Sequence, residues 1–474
     1  MYNLCFMGRE GFLDYTPLVF NEIKRSFDPD ATGVIVVLDT REAAYVRKRF
    51  GNSVELCILS EFMNEHWGEF TLEKLCYYEE EYDASPIWKY IYTDRFLIHR
   101  DYDYCVHTTA GLFAFWEHIF TTYHIDFYFD EVIGTLFTYV AYLVGRKLGA
   151  DYYSLLIMRS VGLDLTHHYI LNDPFEMIYD FPENYRDIEY SPEQIKAAED
   201  FLTGFEEKHS RPAFMQFSGR KPRFKASFLL LPFFWIRQRF FNPHTVDKGN
   251  YIFYKDYQTA FDPLKYYLRY QKSKKYYNKA DLNRKFVYYP LHLQPEASTI
   301  VCAQKYEKQL YFLDNLAKSL PADTVIYAKE HYSFLGSRPN SFYEQLKEYP
   351  NIVLIDPWED SFALIKHCEC VATLTGTAGQ EAMLLRRPVI MGGDILYENA
   401  PGVMRIDDIY GRYEEAMANW KQPTREDIVQ YLTAYMSCAR RGNTYIMSED
   451  RLKPDNIRLV AQSMFDYFKE MKPR

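Results

Sequence analysis

Residues 374–393 read LTGTAGQEAMLLRRPVIMGG, and this stretch decides the fold class. The apolar run CVATL leads into it and predicts a buried strand. Five small residues, 375–379, predict a turn, and QEAMLLRR predicts a helix that Pro388 ends. The following VIM predicts another buried strand. A strand, a tight turn, a helix and a further strand in succession indicate a parallel sheet with helices on its faces.

The same turn suits the binding of an anion. Backbone N–H groups at the start of a helix, together with the positive end of its dipole, favour a phosphate. Gly376 and Gly379 would let a phosphate approach the backbone, and Thr375 and Thr377 could add hydroxyl donors. Glu381 would repel that phosphate, but it can accept hydrogen bonds from the two hydroxyls of a ribose. The pattern therefore indicates a nucleotide site, with a plain helix N-cap at Thr377 as the alternative.

Alternating strand and helix signals extend over most of the 474 residues. This length exceeds what a single hydrophobic core usually holds, so more than one domain is expected. We predict an α/β protein with two Rossmann-like, doubly wound domains. The first covers residues 1–285 and includes an insertion at about 191–285, the second covers 286–423, and helices follow over 424–474. The stretch STIVCAQKYEKQLYFLDNLAKSL is predicted to form one helix of the second domain.

The insertion has a composition of its own. Residues 211–244 contain seven Lys and Arg residues, no acid and the densest aromatic run of the chain. Basic residues on both sides of PFFWI make 220–241 a candidate for peripheral contact with a membrane surface. The alternative, which we favour here, is a buried aromatic wedge between the two domains.

Composition limits the classes of function and the location. The net charge of −10 argues against a nucleic-acid partner. The 8 cysteines form no C-x-x-C pair, which indicates reduced thiols in the cytoplasm. The start, MYNLCFMGREGF, predicts a first strand and not a signal peptide, and no apolar run has the length of a membrane span. We expect a cytoplasmic protein, with peripheral contact at the inner face of the plasma membrane as an extension of that location.

Further polar residues follow the neighbouring predicted strands. His292 comes after FVYYP, and the strand TVIYAKEH ends with Lys329 and His331. Because ligands bind at the carboxyl ends of the strands in a doubly wound sheet, these side chains should meet the 375–381 turn on one rim. A lysine and two histidines beside a helix N-terminus would neutralise a phosphate or stabilise a phosphate leaving group.

Three pieces of the chain carry a family resemblance. The sequences PLHLQPEAST, YAKEH and LTGTAGQEAMLLRRPVIMGG resemble the bacterial capsule polysaccharide biosynthesis glycosyltransferases, the broad group that includes the capsule Kdo transferases. The resemblance is clear over about 286–397 and thinner over 93–97 and 125–162. Tyr332 follows AKEH where the group usually has Pro, a departure that affects the loop but leaves the Lys and the His in place.

The resemblance implies the GT-B architecture, in which two Rossmann-like domains face each other across a cleft. It implies that the C-terminal domain binds a nucleotide-sugar donor, that the N-terminal domain binds the acceptor, and that residues 424–474 pack back on the N-terminal domain. GT-B enzymes generally use no metal and no cofactor, because a helix dipole and basic side chains neutralise the phosphate. The donor-binding residues are expected to be Lys329, His331, Thr375, Gly376, Thr377, Gly379 and Glu381.

Candidates for catalysis lie at a strand end of the first domain. Asp130 and Glu131, in FDEVIGT, could each act as a general base, or as a nucleophile if the anomeric configuration is retained. The alternative is that one of them merely caps the next helix. We take Glu131 first, then Asp130, and we place His292 opposite the donor phosphate.

Other residues could bind a carboxylate of the acceptor or the donor. Arg9 and Glu10 follow the first strand, and Arg159 and His167–His168 follow a later one, with a structural role for the histidines as the alternative. The sequence Asp101-x-Asp103 looks like the metal-binding D-x-D of another glycosyltransferase fold. That motif needs a mixed sheet, which this sequence does not predict, so no metal site is expected.

We therefore expect a glycosyltransferase of bacterial surface polysaccharide synthesis, of the capsule or O-antigen type. It would transfer a sugar from a nucleotide-sugar donor to a glycan or a lipid-linked acceptor, and the resemblance suggests a CMP-linked acidic sugar as the donor. The alternatives are a sugar-nucleotide epimerase, a teichoic-type CDP-alditol phosphotransferase and a non-catalytic polysaccharide-binding assembly factor. The sequence leaves open the sugar, the base, the stereochemical outcome, the acceptor and the oligomeric state.

Overall fold

The structure is a computed structural model that describes residues 1–158, 165–208, 222–241, 249–252 and 259–473. Within these ranges, thirteen strands form two sheets. The strands are β1 (Asn3–Met7), β2 (Thr32–Val37), β3 (Glu55–Ile58), β4 (Phe127–Phe129), β5 (Asp151–Ile157), β6 (His167–Leu171), β7 (Phe286–Pro290), β8 (Val325–Lys329), β9 (Ile352–Ile355), β10 (Cys370–Thr373), β11 (Val389–Met391), β12 (Val403–Arg405) and β13 (Arg440–Arg441).

Helices connect most of the strands. In the first half they are α1 (Phe12–Ser26), α2 (Thr40–Phe50), α3 (Leu59–His66), α4 (Leu72–Glu81), α5 (Trp88–Ile91), α6 (Tyr102–Tyr123), α7 (Leu136–Leu148), α8 (Pro192–Lys208) and α9 (Leu231–Ile236). In the second half they are α10 (Asp262–Ser273), α11 (Ala297–Ile300), α12 (Gln309–Ala317), α13 (Asn340–Leu346), α14 (Ser361–His367), α15 (Thr377–Leu384), α16 (Tyr413–Asn419), α17 (Arg425–Ser437) and α18 (Pro454–Met471).

The first sheet has the strand order β13-β6-β5-β4-β1-β2-β3. Strands β1 to β5 pair in parallel, and β6 and β13 add an antiparallel edge. The chain winds from β1 outward to β3 and then returns to β4 on the other side of β1. The gap between the ends of β1 and β4 is therefore the topological switch point, where a doubly wound sheet binds its ligand.

The second sheet repeats this plan with the order β12-β11-β10-β7-β8-β9, and all its strand pairs are parallel. Its switch point lies between the ends of β7 and β10. Because both sheets wind outward from a central parallel strand in both directions, the predicted fold class of two Rossmann-like, doubly wound sheets is confirmed.

Local sequence explains where the elements begin and end. Helix α1 turns Tyr15, Val19 and Ile23 toward the sheet at helical spacing, and all three are buried. The side chain of Asp39 accepts hydrogen bonds from two backbone N–H groups at the start of α2. Gly149 ends α7 with a positive φ of 81°, a conformation that glycine adopts without strain.

One predicted helix is divided in the structure. The stretch that begins at STIVC forms α11 and α12, which are separate helices. A short 3₁₀ helix, Gln304–Tyr306, lies between them. Gln309, the first residue of α12, is buried and hydrogen-bonds both the N–H and the C=O of His292, which holds the start of α12 against the end of β7.

The two halves share packing contacts. One hydrophobic core combines Tyr169 of β6, Phe286 of β7 and Tyr435 of α17. The last helix, α18, packs against α1, and its Phe468 stacks on Phe127 of β4 with ring centroids 4.4 Å apart. The sheets are therefore joined by buried side chains and not only by the chain that connects them.

Residues 222–241 form an arm, called the aromatic arm below, and it is not a buried wedge. Leu229, Phe233 and Phe241 are 77%, 71% and 77% exposed. The expectation of an aromatic wedge between the domains is therefore wrong for these residues, since most of their apolar side chains contact solvent. No helix in the described ranges has the length and apolar character needed to cross a membrane.

Candidate functional site

The switch point of the second sheet is organised around His292. Its Nε2 accepts a hydrogen bond from the backbone N–H of Leu374 at 3.0 Å and lies 3.1 Å from Oγ1 of Thr373. Burial and the nearby positive charges of Arg338 and His331 lower the pKa of His292 to about 3. The imidazole is therefore neutral near pH 7, and it links the ends of β7 and β10 instead of adding charge beside a phosphate.

The small residues of the turn are required by close packing. A Cβ at Gly376 would lie 2.8 Å from Oγ1 of Thr373 and 3.2 Å from Cε1 of His292. A Cβ at Gly379 would lie 2.6 Å from the hydroxyl of Tyr397, which itself donates a hydrogen bond to the carbonyl of Gly376. Only glycine fits at either position while these neighbours stay in place.

Helix α15 begins directly after this turn. Its N-cap is Gly376, and no side-chain hydrogen bond caps this end within the described structure. The alternative of a side-chain cap at Thr377 is therefore wrong, and the first N–H groups of α15 point to the switch point, which is the geometry that binds anions. The hydroxyl of Thr375 donates to the carbonyl of Ser298 at 2.6 Å, so its proton is already used within the protein. Glu381 lies one turn further along the helix and is half-buried.

Lys329 and His331 lie on the same edge, after β8. Lys329 is buried, and its Nζ donates to Oγ of Ser361 at 2.6 Å, the first residue of α14. His331 is half-buried and stacks on Tyr332, with ring centroids 4.6 Å apart. Tyr332, the residue that departs from the family pattern, thus supports the His331 ring.

A buried ion pair, which the sequence reasoning missed, fixes this edge. The carboxylate of Glu330 accepts a hydrogen bond from Nε of Arg338 at 2.8 Å and another from the hydroxyl of Tyr343 at 2.7 Å. Arg338 also donates to the carbonyl of His292 at 2.7 Å. The pair therefore ties the end of β8 to the end of β7. The available signal was a glutamate inside AKEH, because a charge at the end of a buried strand requires a partner.

Arg9, Asp130 and Glu131 meet at the switch point of the first sheet. Nη2 of Arg9 lies 3.6 Å from Oδ1 of Asp130 and 3.6 Å from Oε2 of Glu131. Asp130 is fully buried and accepts hydrogen bonds from the hydroxyls of Tyr128 and Thr138. This enclosure favours a role for Asp130 in positioning Arg9, and its catalytic role stays a prediction.

Glu131 has the properties of the accessible carboxylate. Its side chain is 49% exposed. Desolvation by the surrounding protein raises the pKa of Glu131, while the charge of Arg9 opposes the rise and Asp130 and Glu10 add to it. Glu10 is exposed, and its negative charge makes it a poor ligand for a carboxylate. A glutamate with a raised pKa in an open position is suited to proton transfer.

Arg95 is a second cation near Glu131, and the sequence alone did not indicate a role for it. The buried carboxylate of Asp94 fixes its backbone by accepting hydrogen bonds from the N–H groups of Phe96 and Leu136 at 2.7 Å. Nη2 of Arg95 lies 3.6 Å from the place where a Cβ on Gly134 would be, and its charge lowers the pKa of Glu131. Its Nε is buried and has no hydrogen-bond partner in the described part of the chain. The signal was the motif TDRFL at 93–97.

The two switch points approach each other through one short segment. Gly134 lies three residues after Glu131 in the same loop. A Cβ on Gly134 would lie 3.3 Å from Cβ of Ala297 in α11. The next residue, Ser298, accepts the hydrogen bond from Thr375 at the α15 turn. Residues 297–298 therefore contact both the Glu131 loop and the turn that precedes α15, which brings the two sets of candidates to one interdomain region.

The remaining candidates do not join this region. His168 is fully buried, with Nδ1 at 3.0 Å from the carbonyl of Gly442 and Nε2 at 2.9 Å from Oγ of Ser463, which is a structural role. Asp101 caps α6 by accepting a hydrogen bond from the backbone of Tyr104. Arg159 lies outside the described residues. Within the described ranges, no group of three or more His, Cys, Asp and Glu residues could hold a metal ion.

The buried His168 gives a pH prediction. Burial lowers its pKa from 6.5 to about 4. Between these pH values the unfolded chain binds a proton that the folded chain does not, so this residue lowers the free energy of unfolding as the pH falls. His168→Gln lacks that proton uptake. We expect urea unfolding to show a destabilised variant at pH 7 whose deficit shrinks toward pH 4, and a deficit independent of pH would contradict the assignment.

Comparisons with known proteins agree with the sequence resemblance. Residues 239–440 match the family model described as capsule polysaccharide biosynthesis protein. No curated protein matches the chain.

Solved structures of low identity are also similar. They include KpsC of Thermosulfurimonas dismutans, a beta Kdo 2,4 transferase (17% identity, 72% of this chain and 87% of that chain, TM-score 0.38). They also include the KpsC beta Kdo 2,7 transferase of Thermosulfurimonas dismutans (11% identity, 91% of this chain and 89% of that chain, TM-score 0.35). A third is UDP-GlcNAc 2-epimerase of Methanocaldococcus jannaschii with UDP-GlcNAc and UDP (11% identity, 92% and 100%, TM-score 0.28).

TM-scores this low carry no argument about activity, and the fold assignment rests on the strand order of this chain. The family match covers the second sheet, with His292, Lys329, the Glu330–Arg338 pair and the α15 turn. It confirms the resemblance that the three sequence pieces carry. Over residues 239–440, the chain is similar to the capsule polysaccharide biosynthesis proteins.

Proposed function

We propose that the chain is a glycosyltransferase of bacterial surface polysaccharide synthesis. It transfers a sugar from a nucleotide-sugar donor to a glycan or a lipid-linked acceptor. The observation that carries the proposal is the α15 turn, an N-terminus without a side-chain cap at the switch point, joined through residues 297–298 to the loop of Glu131. The match to capsule polysaccharide biosynthesis proteins supports it.

The donor binds at the second sheet. Its phosphate accepts hydrogen bonds from the N–H groups at the start of α15, in the turn that Gly376 and Gly379 allow to pack against Thr373, His292 and Tyr397. Lys329, held by Ser361, supplies positive charge, and His331 lies on the same edge. Glu381 accepts hydrogen bonds from the ribose hydroxyls. Since His292 is neutral, its part is to hold the turn in shape.

The acceptor reacts at the first sheet. Glu131 takes the proton of the acceptor hydroxyl as that oxygen bonds to the anomeric carbon. The bond from the anomeric carbon to the phosphate oxygen breaks, and its electron pair leaves with the nucleotide phosphate. The developing charge is stabilised by the α15 N-terminus and Lys329. Arg9 and Arg95, which flank Glu131, supply the charge that an acidic donor sugar or acceptor requires.

The cytoplasm is the proposed location of this reaction. All eight cysteines are free thiols, and six of them are buried. A chain with this many unpaired cysteines suits a reducing compartment. The donor class is proposed to be a CMP-linked acidic sugar, and the chemistry as written needs no cofactor and no metal.

Nucleotide affinity tests the donor site. We expect Glu381→Ala and Lys329→Ala each to weaken nucleotide binding by about tenfold, because each change removes one charged hydrogen bond to the nucleotide. Thermal-shift measurements with CMP, CDP, UMP, UDP and GDP select the ligand, because a ligand that binds only the folded state raises its apparent stability. Calorimetry with that ligand then gives the affinities.

Matched controls lie on the same domain. Lys366 is exposed on α14, the helix that begins at Ser361, and Glu369 is exposed just after that helix. The variants Lys366→Ala and Glu369→Ala remove the same two kinds of charge. We expect both controls to bind as the unchanged protein does. If Glu381→Ala and Lys329→Ala also bind normally, the nucleotide does not lie at the α15 turn.

Product analysis separates the other enzymes. NMR of a donor incubated without acceptor would show a second sugar nucleotide if the protein is an epimerase. A teichoic-type phosphotransferase would consume a CDP-alditol and release CMP. A non-catalytic assembly factor would turn over no nucleotide sugar and would bind polysaccharide. A glycosyltransferase releases the nucleotide only when an acceptor is present.

A further inference from the structure

The aromatic arm, residues 222–241, exposes its apolar side chains together. Within it, Phe224, Leu229, Leu230, Phe233, Phe234, Ile236, Phe240 and Phe241 are all exposed. Exposed apolar residues are common singly, but eight of them within the twenty residues of the arm mark a segment that contacts something other than water. The arm is therefore a binding surface that needs an occupant.

The charge of the arm identifies that occupant. Arg223, Lys225, Arg237 and Arg239 are exposed, and the arm contains no acidic residue, although the whole chain has a net charge of −10. Cations interleaved with Phe, Leu and Trp match the interface of an anionic bilayer, where rings enter the headgroup region and cations contact lipid phosphates. A hydrophobic protein partner would not require this excess of positive charge.

The arm is attached to the protein at one side. Phe228 is buried, and its ring packs near Phe224 and Tyr267 of α10, with centroids 5.7 Å and 6.3 Å away. Phe228 and Tyr267 therefore hold the arm on α10, while most of its other apolar side chains face solvent.

Helix α10 connects the arm to the donor edge of the second sheet. Nη1 of Arg269 donates to the carbonyl of Ser337 at 2.8 Å, and a Cβ at Gly336 would collide with the backbone of Tyr266. Ser337 precedes Arg338, whose ion pair fixes the edge with Lys329 and His331. A surface that binds the arm therefore lies next to the interdomain region and not on the far side of the molecule.

We propose that the aromatic arm binds the surface of an anionic phospholipid bilayer, with the interdomain region beside that surface. The apolar side chains enter the headgroup boundary, and the four cations contact lipid phosphates. This orientation would present the cleft to an acceptor carried on a lipid. Binding to vesicles needs neither nucleotide nor acceptor, so it stands or fails separately from the proposed glycosyl transfer.

Vesicle co-sedimentation of the full chain tests the proposal. We expect binding to vesicles of phosphatidylcholine mixed with phosphatidylglycerol, weak binding to phosphatidylcholine alone, and loss of binding as salt is raised. Arg237→Glu with Arg239→Glu should weaken binding by about thirtyfold or more, because each basic residue near the surface contributes to the attraction. Leu229→Ser with Phe233→Ser should weaken it by about tenfold or more.

Control variants keep the test specific. Lys48→Glu with Lys421→Glu reverses two exposed charges outside the arm, and Leu72→Ser removes an exposed apolar side chain elsewhere. We expect these controls to bind the anionic vesicles as the unchanged protein does. Equal loss in the controls, equal binding to both kinds of vesicle, or no binding to either would overturn the proposal. So would a dimer in analytical ultracentrifugation that the arm variants convert to a monomer, since a second copy would then cover the arm.

Discussion

Arg338→Ala should destabilise the protein by about 3–5 kcal/mol, the usual cost of leaving one partner of a buried ion pair uncompensated. Arg338 is 5% exposed and Glu330 is not exposed at all. Removing the guanidinium leaves the Glu330 carboxylate with Tyr343 and the backbone N–H of His331 as partners, and it also takes a donor from the carbonyl of His292. The ends of β7 and β8 should separate, so nucleotide affinity should fall as well. Urea unfolding followed by circular dichroism measures the first effect.

An exposed ion pair is the matched control for this prediction. Arg412 pairs with Glu415 on the surface, with more than half of each side chain exposed, and Arg412→Ala should cost less than about 1 kcal/mol. A double-mutant cycle with Glu330→Gln and Arg338→Met should recover part of the loss, because the paired charges are then both absent. If Arg338→Ala cost no more than Arg412→Ala, the pair would have no structural role.

Glu131→Gln should lower kcat by about a hundredfold to ten-thousandfold, the range for loss of a general base. The change keeps the size of the side chain and removes its ability to accept a proton. Desolvation by the surrounding protein raises the pKa of Glu131, so in the unchanged protein kcat/KM should rise with pH as this carboxyl loses its proton. The variant should lose that pH dependence. Turnover is measured as nucleotide released in the presence of acceptor.

Asp130 and Glu10 separate catalysis from positioning. Asp130→Asn should release Arg9 and destabilise the fold through Tyr128 and Thr138, and should therefore affect stability and activity together. Glu10→Gln removes an exposed neighbouring charge and should leave kcat within about tenfold of normal. Retention of most activity in Glu131→Gln would transfer the base to another residue. A product with a retained anomeric configuration would indicate that Glu131 acts as a nucleophile and not as a general base.

The sequence predicted the parallel sheets because their signals are local. Short apolar runs separated by amphipathic helices identify a doubly wound fold without reference to distant contacts. The rule that ligands gather at the carboxyl ends of parallel strands then selected His292, Lys329 and the α15 turn. The structure does place these residues at the ends of β7, β8 and β10.

Roles that depend on burial could not be predicted in this way. Asp130 and Glu131 are neighbours in sequence, yet one is enclosed by Tyr128 and Thr138 and the other is half exposed. His292 was expected to carry charge beside the phosphate, but its enclosed position favours the neutral ring. Periodicity tells which residues share a face, and only the packed structure tells how deeply each lies.

The aromatic arm is a second case in which the sequence did not predict how deeply the side chains are buried. Its rings and leucines predicted a buried wedge, because apolar side chains are usually inside a protein. The structure exposes most of them, while Phe228 and Phe224 contact Tyr267 of α10. Composition fixed the chemistry of the arm, and tertiary contacts fixed which way it faces.

By itself, the sequence determined two doubly wound sheets of mainly parallel strands, a turn of small residues before a helix and a set of polar residues at the strand ends, because each rests on local patterns and on topology. Tertiary structure alone decided which of the paired carboxylates is open, that Glu330 and Arg338 fix the β7–β8 edge, and that residues 297–298 bring the two switch points together. These depend on side chains far apart in the chain, whose contacts form only when the whole core is packed.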